Sequence, residues 1–475
     1  MTNYILENTY ASLGDFFSTK AYVDKAIKPE MIVFNDDLNK ELHLPNQVDY
    51  YCGLKNLDNS IPIAMAYAGH QFGYFTKLGD GRAILLGEVL DTNKQLNDIV
   101  LKGSGKTTYS RGGDGKASIG PMLREYLVSE SMHALKIPTT RSLALVTTGE
   151  KVRSTTIEDG AILTRVASSH IRVGTFEYAY AFGGTDQVKI LCDYTINRHY
   201  PDLNDKPNKY IEFFKEVMTR QAKLIASWMH VGFIHGVMNT DNMAISGQTI
   251  DYGPCAFMDY YQKDTCYSSI DVNKRYAYNN QANIAMWNLA RFVETFLFLF
   301  DEDIEIAASI ANVIINGFKE IYDHYYYLGY ANKLGLETYT SQDKTLIDNL
   351  LSLMEEVHVD YTNTFVYLTL NQIEKSPLYK NESFLFWYEQ YQERLSSQDL
   401  SKEQIQALMK TNNPVLIPRN MWIEDAIKQA EKKDYSLFKA LLNLLKNPYD
   451  YSQEQLDYMD VVTTSPFGYK TYCGT

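Results

Sequence analysis

The chain has 475 residues, 45% hydrophobic and 22% charged, with a formal net charge of −13. That length and balance support a sizeable core and more than one lobe in an ordinary globular protein. The acid excess argues against a nucleic-acid binder, which needs a basic face for the phosphate backbone, but leaves room for a local basic pocket.

No apolar run reaches membrane-spanning length. The strongest, Phe292 to Phe300, contains Glu294 and runs into Asp301-Glu302-Asp303, so no membrane partner is expected. Met1-Thr2-Asn3-Tyr4 lacks the basic and apolar blocks of a signal peptide, which makes the cytoplasm the expected compartment. Cys52, Cys192, Cys255, Cys266 and Cys473 are too scattered for a disulfide framework, and no pair has zinc spacing. Cys473, in Tyr472-Cys473-Gly474-Thr475, reads either as a reactive exposed thiol or as an accidental surface cysteine.

In chain order, residues 1 to about 60 mix short apolar runs with turn residues and are expected to wrap a larger body as an N-terminal extension. From Ile61 to Val100 the pattern is β-like. Gly79-Asp80-Gly81-Arg82 stands between Gln71–Phe75 and Ala83–Val89, where it reads as a hairpin turn. Glycines there also suit a phosphate loop, and Arg82 adds a fork of donors. Asp98 to Lys102 is a short strand ending on a lysine. Gly103-Ser104-Gly105-Lys106-Thr107 is similar to the end of a Walker A loop, but Val100 occupies the earlier glycine's position, so a P-loop is rejected. The polar, glycine-rich Tyr109–Lys116 that follows is either mobile surface or a ligand clamp.

Pro121 to Lys136 has helical periodicity and carries Glu125. A strand lysine, Lys102, followed by a helix glutamate is the order of the kinase pair that orients a phosphate-binding lysine. Arg165 and Arg172 read on their own as surface charge near the lobe junction. Helical signal dominates from about Tyr210, over Tyr210–Val231, Ala282–Leu299 and Ile304–Leu328, interrupted by short strands and loops from His235 to Gly253. The tail from Ser396 to Tyr451 is helical with a break around Pro414–Pro418. The expected organisation is α+β, a two-lobed protein-kinase-like fold with a small β-rich N-lobe and a larger helical C-lobe. Its divisions are an extension over 1–60, an N-lobe over 61–205, a C-lobe over 206–395 with its catalytic strip at 235–253, and a helical extension with a cysteine tail over 396–475.

The strip itself carries the most chemistry. His235-Gly236-Val237-Met238-Asn239-Thr240-Asp241-Asn242, followed by Ile250-Asp251-Tyr252-Gly253, is similar to a kinase catalytic loop and its Asp-Phe-Gly triplet. Asn242 and Asp251 are hard oxygen ligands of the kind magnesium takes when phosphates fill its shell. The kinase base position is Val237, which cannot accept a proton. Asp241 supplies a carboxylate nearby and acts either as a displaced base or as a turn cap.

Taken together, several runs resemble the selenoprotein O family, whose bacterial branch is the YdiU-type proteins. They are Ala66–Gly73, Leu78–Ala83, Leu101–Thr107, Ser110–Gly115, Ile137–Arg141, Gly236–Met243, Ile250–Pro254, Arg275–Tyr278 and Trp287–Arg291. The resemblance implies a kinase-like fold that binds ATP in a flipped orientation and transfers AMP to protein hydroxyls of Ser, Thr or Tyr. It implies nucleotide contacts at Gly79, Gly81, Arg82, Lys102, Asp114, Gly115, Arg165, Arg172 and Asp251, with Asp241 as proton acceptor and Asn242 and Asp251 as ligands of Mg2+ or Mn2+. It also implies a bridge from Cys473 to a cysteine after the metal site, for which Cys266 is the nearest candidate. Transfer of UMP from UTP with manganese, and an inert nucleotide-binding pseudokinase scaffold, are the alternatives. A scaffold has no need to keep Asp241, Asn242 and Asp251 together.

Overall fold

A computed structural model describes residues 4–153, 157–459 and 469–471. Its strands, in chain order, are β1 (Ser18–Lys20), β2 (Glu30–Phe34), β3 (Ile63–Met65), β4 (Ala68–Gln71), β5 (Tyr74–Lys77), β6 (Ala83–Leu90), β7 (Leu96–Lys102), β8 (Arg141–Arg153) and β9 (Ile157–Ala167). Seven of them form one antiparallel sheet in the order β1-β3-β6-β7-β9-β8-β2. Most side chains of β6–β9 are buried on both faces, so these strands read as continuous apolar runs such as Leu143–Val146 and Ile162–Leu163. Without polar alternation β8 and most of β9 gave no strand signal.

The first 60 residues are woven into this sheet. They supply both outer strands, β1 and β2. Helix α1 (Asp36–Leu42), capped where Asn35 Oδ1 accepts the Leu38 N–H, buries Leu38 and Leu42 in the core on one side of the sheet.

The turn expected at Gly79–Arg82 lies elsewhere. β4 and β5 make their own hairpin, closed at Phe72 and Gly73 with φ of 52° and 91°. Gly79–Arg82 instead crosses from that hairpin to β6, which pairs with β3 and β7. The cause is burial: Ile84–Leu86 enter the main core, whereas Tyr74, Phe75 and Lys77 stay exposed, so the two strands take different partners.

Helix α2 (Ile119–Ala134) packs on the other side of the sheet. It is followed after β9 by α3 (Val173–His199), a helix that periodicity missed. Its opening stretch, Val173–Ala179, is buried on nearly every side and its middle bends at Gly184, which has φ of 68°, so no single apolar stripe runs along it. Helices α4 (Lys209–His230) and α5 (Gln281–Glu294) form the centre of the helical lobe. Phe176 of α3, Phe213 of α4 and Phe292 of α5 interlock, with Phe176 and Phe292 centroids 4.9 Å apart. Each such ring contributes roughly 1.5–3 kcal/mol by leaving water. Two expected helices are shorter than read: α5 ends at Glu294 before a 3-10 turn, and the helix begun at Ile304 breaks at Gly317 and resumes at Phe318.

The catalytic-strip segment is held between β10 (Phe233–Ile234) and β11 (Ala256–Phe257), which pair antiparallel. Ile250 is not in a strand; its neighbour Thr249 makes a single parallel bridge to Thr139. Among the described residues no helix is long and apolar enough to cross a membrane.

Candidate active site

Lys102 is the last residue of β7, and burial strips its ammonium of water. Its Nζ lies 2.6 Å from Glu125 Oε2 on α2 and 2.9 Å from Asp251 Oδ1. Arg165, on β9 opposite Val100 of β7, reaches the same two carboxylates: Nε donates to Glu125 Oε1 at 2.8 Å and Nη2 to Asp251 Oδ1 at 2.5 Å. Arg172 precedes the first turn of α3. Its Nη1 lies 3.5 Å from Asp251 Oδ2 and donates to the Asp241 carbonyl at 3.2 Å, and its guanidinium stacks on Tyr67 at 4.5 Å. Arg165 is 2% exposed and Arg172 4%, so the surface-charge reading of both is overturned.

Three cations thus surround two carboxylates, with buried Asp80 a further 3.9 Å from Arg172. With Asp80 counted, three cations face three carboxylates, so the desolvated charges balance within the cluster. Burial raises the Asp251 carboxyl, but Arg165, Lys102 and Arg172 outweigh it and hold the group well below the usual carboxylate range. The backbone of Asp251 has φ of 62°, a left-handed conformation that costs a side chain about 1 kcal/mol. That strain aims the carboxylate at the cations.

Asp241 differs in every respect. Burial pushes its carboxyl up to about 7 against the pull of Arg172, and its Oδ1 has no hydrogen-bond partner. Space for it is made by two glycines: a Cβ on Gly69 would stand 2.6 Å from Asp241 Oδ1, and one on Gly174 would strike the Ala68 carbonyl and come within 3.2 Å of Asp241 Cα. Asn242 Nδ2 donates to the Val237 carbonyl at 3.0 Å, which fixes the amide beside Asp241. His235 Nε2 lies 2.9 Å from the Ile250 carbonyl and ties the two halves of the strip together.

A glycine-rich flap abuts this cluster at Asp80, whose carbonyl accepts from the Thr107 hydroxyl at 2.5 Å. Gly105 and Gly115 are joined by a 3.2 Å backbone hydrogen bond, and any Cβ on Gly115, whose φ is 70°, would collide with the Gly105 carbonyl. The flap's Tyr109 ring fills the space a Gly79 side chain would take, and a Cβ on Gly81 would lie 2.9 Å from the Tyr109 carbonyl. Asp114 Oδ1 accepts the Lys116 N–H at 2.9 Å at the exposed rim. Arg82 follows Gly81 and is half-buried. Lys102, Glu125, Arg165, Arg172, Asp241 and Asp251 are therefore gathered in one cluster, with Asn242 at its edge and Gly79, Gly81 and Gly115 shaping the adjoining flap.

Cys266 lies apart, its Sγ 3.4 Å from Asp271 Oδ2; burial, with Asp271 beside it, pushes the thiol up to about 11. Cys473 lies outside the described residues. Asp80 and Tyr67 escaped the sequence reading, although both stand inside quoted motifs. A buried aspartate between two glycines looks the same as a turn aspartate until its burial is known.

The amino-acid sequence matches, over residues 1–446, the family described as protein adenylyltransferase SelO. It is 51% identical over 481 residues to protein nucleotidyltransferase YdiU of Clostridium perfringens (strain 13 / Type A), covering 100% of this chain and 98% of that protein. The YdiU nucleotidyltransferase of Clostridium botulinum (strain Alaska E43 / Type E3) is 50% identical over 484 residues, covering 100% and 99%. That of Clostridium beijerinckii is 51% identical over 481 residues, covering 100% and 98%. With a sheet lobe, a helical lobe and this cluster between them, the chain belongs to the SelO family of protein nucleotidyltransferases.

Proposed function

We propose that the chain transfers AMP from ATP to Ser, Thr or Tyr hydroxyls of proteins. An acceptor hydroxyl attacks the α-phosphorus, the bond from that phosphorus to the bridging oxygen breaks, and pyrophosphate leaves while the hydroxyl proton passes to Asp241. The observation that carries this reading is the separation of roles within the cluster. Lys102, Arg165 and Arg172 form a cationic seat suited to the departing pyrophosphate. Asp241, with a near-neutral carboxyl, is tuned to accept a proton at physiological pH. Val237 leaves the ordinary kinase base position unable to do so.

Asn242 and Asp251 are the residues that would hold Mg2+ or Mn2+, an all-oxygen donor pair that such hard cations take. The unpartnered Asp241 Oδ1 beside them fits a cation or a donor hydroxyl. When bound, the metal would neutralise charge on the phosphates. Gly79, Gly81, Arg82, Asp114 and Gly115 would enclose the nucleotide, the glycines letting the flap pack closely on its own backbone and on Tyr109. Redox control belongs to the same reading. Thr471 donates its N–H to the Tyr267 carbonyl at 2.8 Å and its hydroxyl to the Pro254 carbonyl at 2.6 Å, so the tail docks on the segment that holds Cys266.

Intact-mass measurement of the protein and an acceptor, after incubation with metal and either ATP or UTP, tests this function. The expected gain is one AMP. A gain of UMP reassigns the base, a gain of phosphate makes the chain a kinase, and no gain makes it a scaffold.

A further inference from the structure

Beside the Thr240–Asp241 turn runs a row of rings with cations at both ends. Lys77 Nζ lies 4.8 Å from the Phe182 ring, Phe182 stacks at 6.3 Å on Phe75, and Phe75 meets His70 at 5.4 Å. His70 meets the edge of Trp287 at 5.3 Å, and both Arg275 and Arg291 sit over that indole, at 4.8 and 5.3 Å. Phe75 is 45% exposed and Phe182 47%, a large apolar area to leave in water without purpose.

The row is anchored to the proposed base. The His70 N–H donates to Thr240 Oγ1 at 2.7 Å, Thr240 Oγ1 donates to Glu177 Oε2, and Glu177 Oε1 holds His70 Nδ1. Gly69, one residue earlier, lies against the Asp241 carboxylate.

Among the described residues, two of the three cations lack an acid of their own. Among the described residues no carboxylate lies within 4 Å of the Lys77 ammonium or the Arg275 guanidinium, and Arg291 has only Glu294. The Nε atoms of Arg275 and Arg291 are buried without hydrogen-bond partners. In a chain of net charge −13, acids were plentiful, yet among the described residues Glu294 is the one carboxylate within ion-pair reach of these three cations. We infer that this aromatic and cationic ledge is the docking surface for the acceptor polypeptide, and that it selects hydroxyls flanked by Asp or Glu. The rings would seat apolar side chains and the peptide backbone, while the guanidiniums pair with flanking carboxylates. The inference rests on the proposed transfer to protein hydroxyls, but docking is measurable without transfer.

The test is fluorescence anisotropy of two labelled peptides of equal length, each with one Ser and one Tyr, flanked by Glu in one and by Lys in the other. They are titrated with the full chain, with Arg275→Ala/Arg291→Ala, with Arg275→Lys/Arg291→Lys, and with Phe75→Ala/Phe182→Ala, whose exposed positions keep folding safe. ATP affinity is measured on the same samples. The unaltered chain is expected to bind the Glu-flanked peptide at least about 10-fold tighter than the Lys-flanked one, the advantage shrinking as salt rises. The double alanine and the double phenylalanine variants should each lose about 10-fold for that peptide with ATP affinity held, and the double lysine variant should lose less, since charge survives while the planar fork does not. Equal binding of the two peptides, or variants that lose ATP and keep the peptide, would overturn the inference. If the Glu-flanked peptide docks as expected but gains no nucleotide from ATP or UTP, the ledge stands and nucleotidyl transfer to such acceptors falls.

Discussion

Asp241 and Asp251 stand ten positions apart in the strip and are tuned in opposite directions by their surroundings. Asp241, 7% exposed and with one oxygen unpartnered, has its carboxyl at about 7 through burial; Asp251 is held far down by three cations despite burial. A base of that kind works only when ionised. Transfer rate should therefore rise with pH as Asp241 ionises and then level off, and Asp241→Asn should remove that limb and cost about 10²- to 10⁴-fold in rate, with ATP affinity little changed. The folded-state value lies above the unfolded one, so the proton is bound more tightly in the folded protein. The ionised form then costs stability progressively from about pH 4 up to pH 7, and fully beyond. Asp241→Asn should be more stable than the unaltered protein at pH 8, by on the order of 2–4 kcal/mol, and about equally stable near pH 4. Calorimetry at both pH values checks the sign.

Asp251→Ala should abolish transfer and also destabilise the protein by roughly 3 kcal/mol, because it leaves Glu125 alone to balance Lys102 and Arg165 and takes the nearest carboxylate from Arg172. Added polyphosphate should recover part of that melting loss. No recovery would mean the cations are satisfied from elsewhere. The strip, Lys102 and Glu125 were legible because motif order carries them. Arg165 and Arg172 came only from the family resemblance; local pattern read them as surface charge, since their burial follows from the pairing of β7 with β9 and from the start of α3, which no local pattern encodes.

At the scale of elements, the flap depends on glycine geometry. Gly115→Ala forces a Cβ into the Gly105 carbonyl and should open the loop, lowering ATP affinity about 10-fold or more while the melting temperature stays within a few degrees. Titration calorimetry with ATP, and protease cleavage between residues 104 and 116, report it. Unchanged affinity would remove the flap from the site. The sequence showed this loop as glycine-rich and polar but left open whether it was surface or clamp; the antiparallel bridge between Ser104 and Lys116 is a long-range pairing of its two ends. The same limit moved the Gly79–Arg82 turn, where alternation located two strands but not their partners.

Across the whole molecule, the C-terminal helices brace the site from behind. Trp422 and Ile423 of helix Asn420–Ala430 and Phe438 and Leu441 of helix Ser436–Leu444 join the core cluster that holds Leu123 and Tyr126 of α2, and Tyr126 meets Phe438 at 5.9 Å. Arg124 of α2 pairs with Glu424. The helix that carries Glu125 is therefore braced by residues three hundred places away, in a segment that reads as an extension. The tail extends this coupling. Thr471 bridges Ser268, so the described part of the tail lies along the segment that holds Cys266. Reductant should raise activity in the unaltered chain and have no effect in Cys473→Ser; the same response in both would make the tail cysteine a bystander.

Which phosphorus is attacked decides the central claim. Parallel incubations with ATP labelled at the α-phosphate and at the γ-phosphate, each with metal and acceptor protein, read it directly. The account predicts label on protein from the α position, none from the γ position, and release of labelled pyrophosphate in the second incubation. Label on protein from the γ position alone would contradict it.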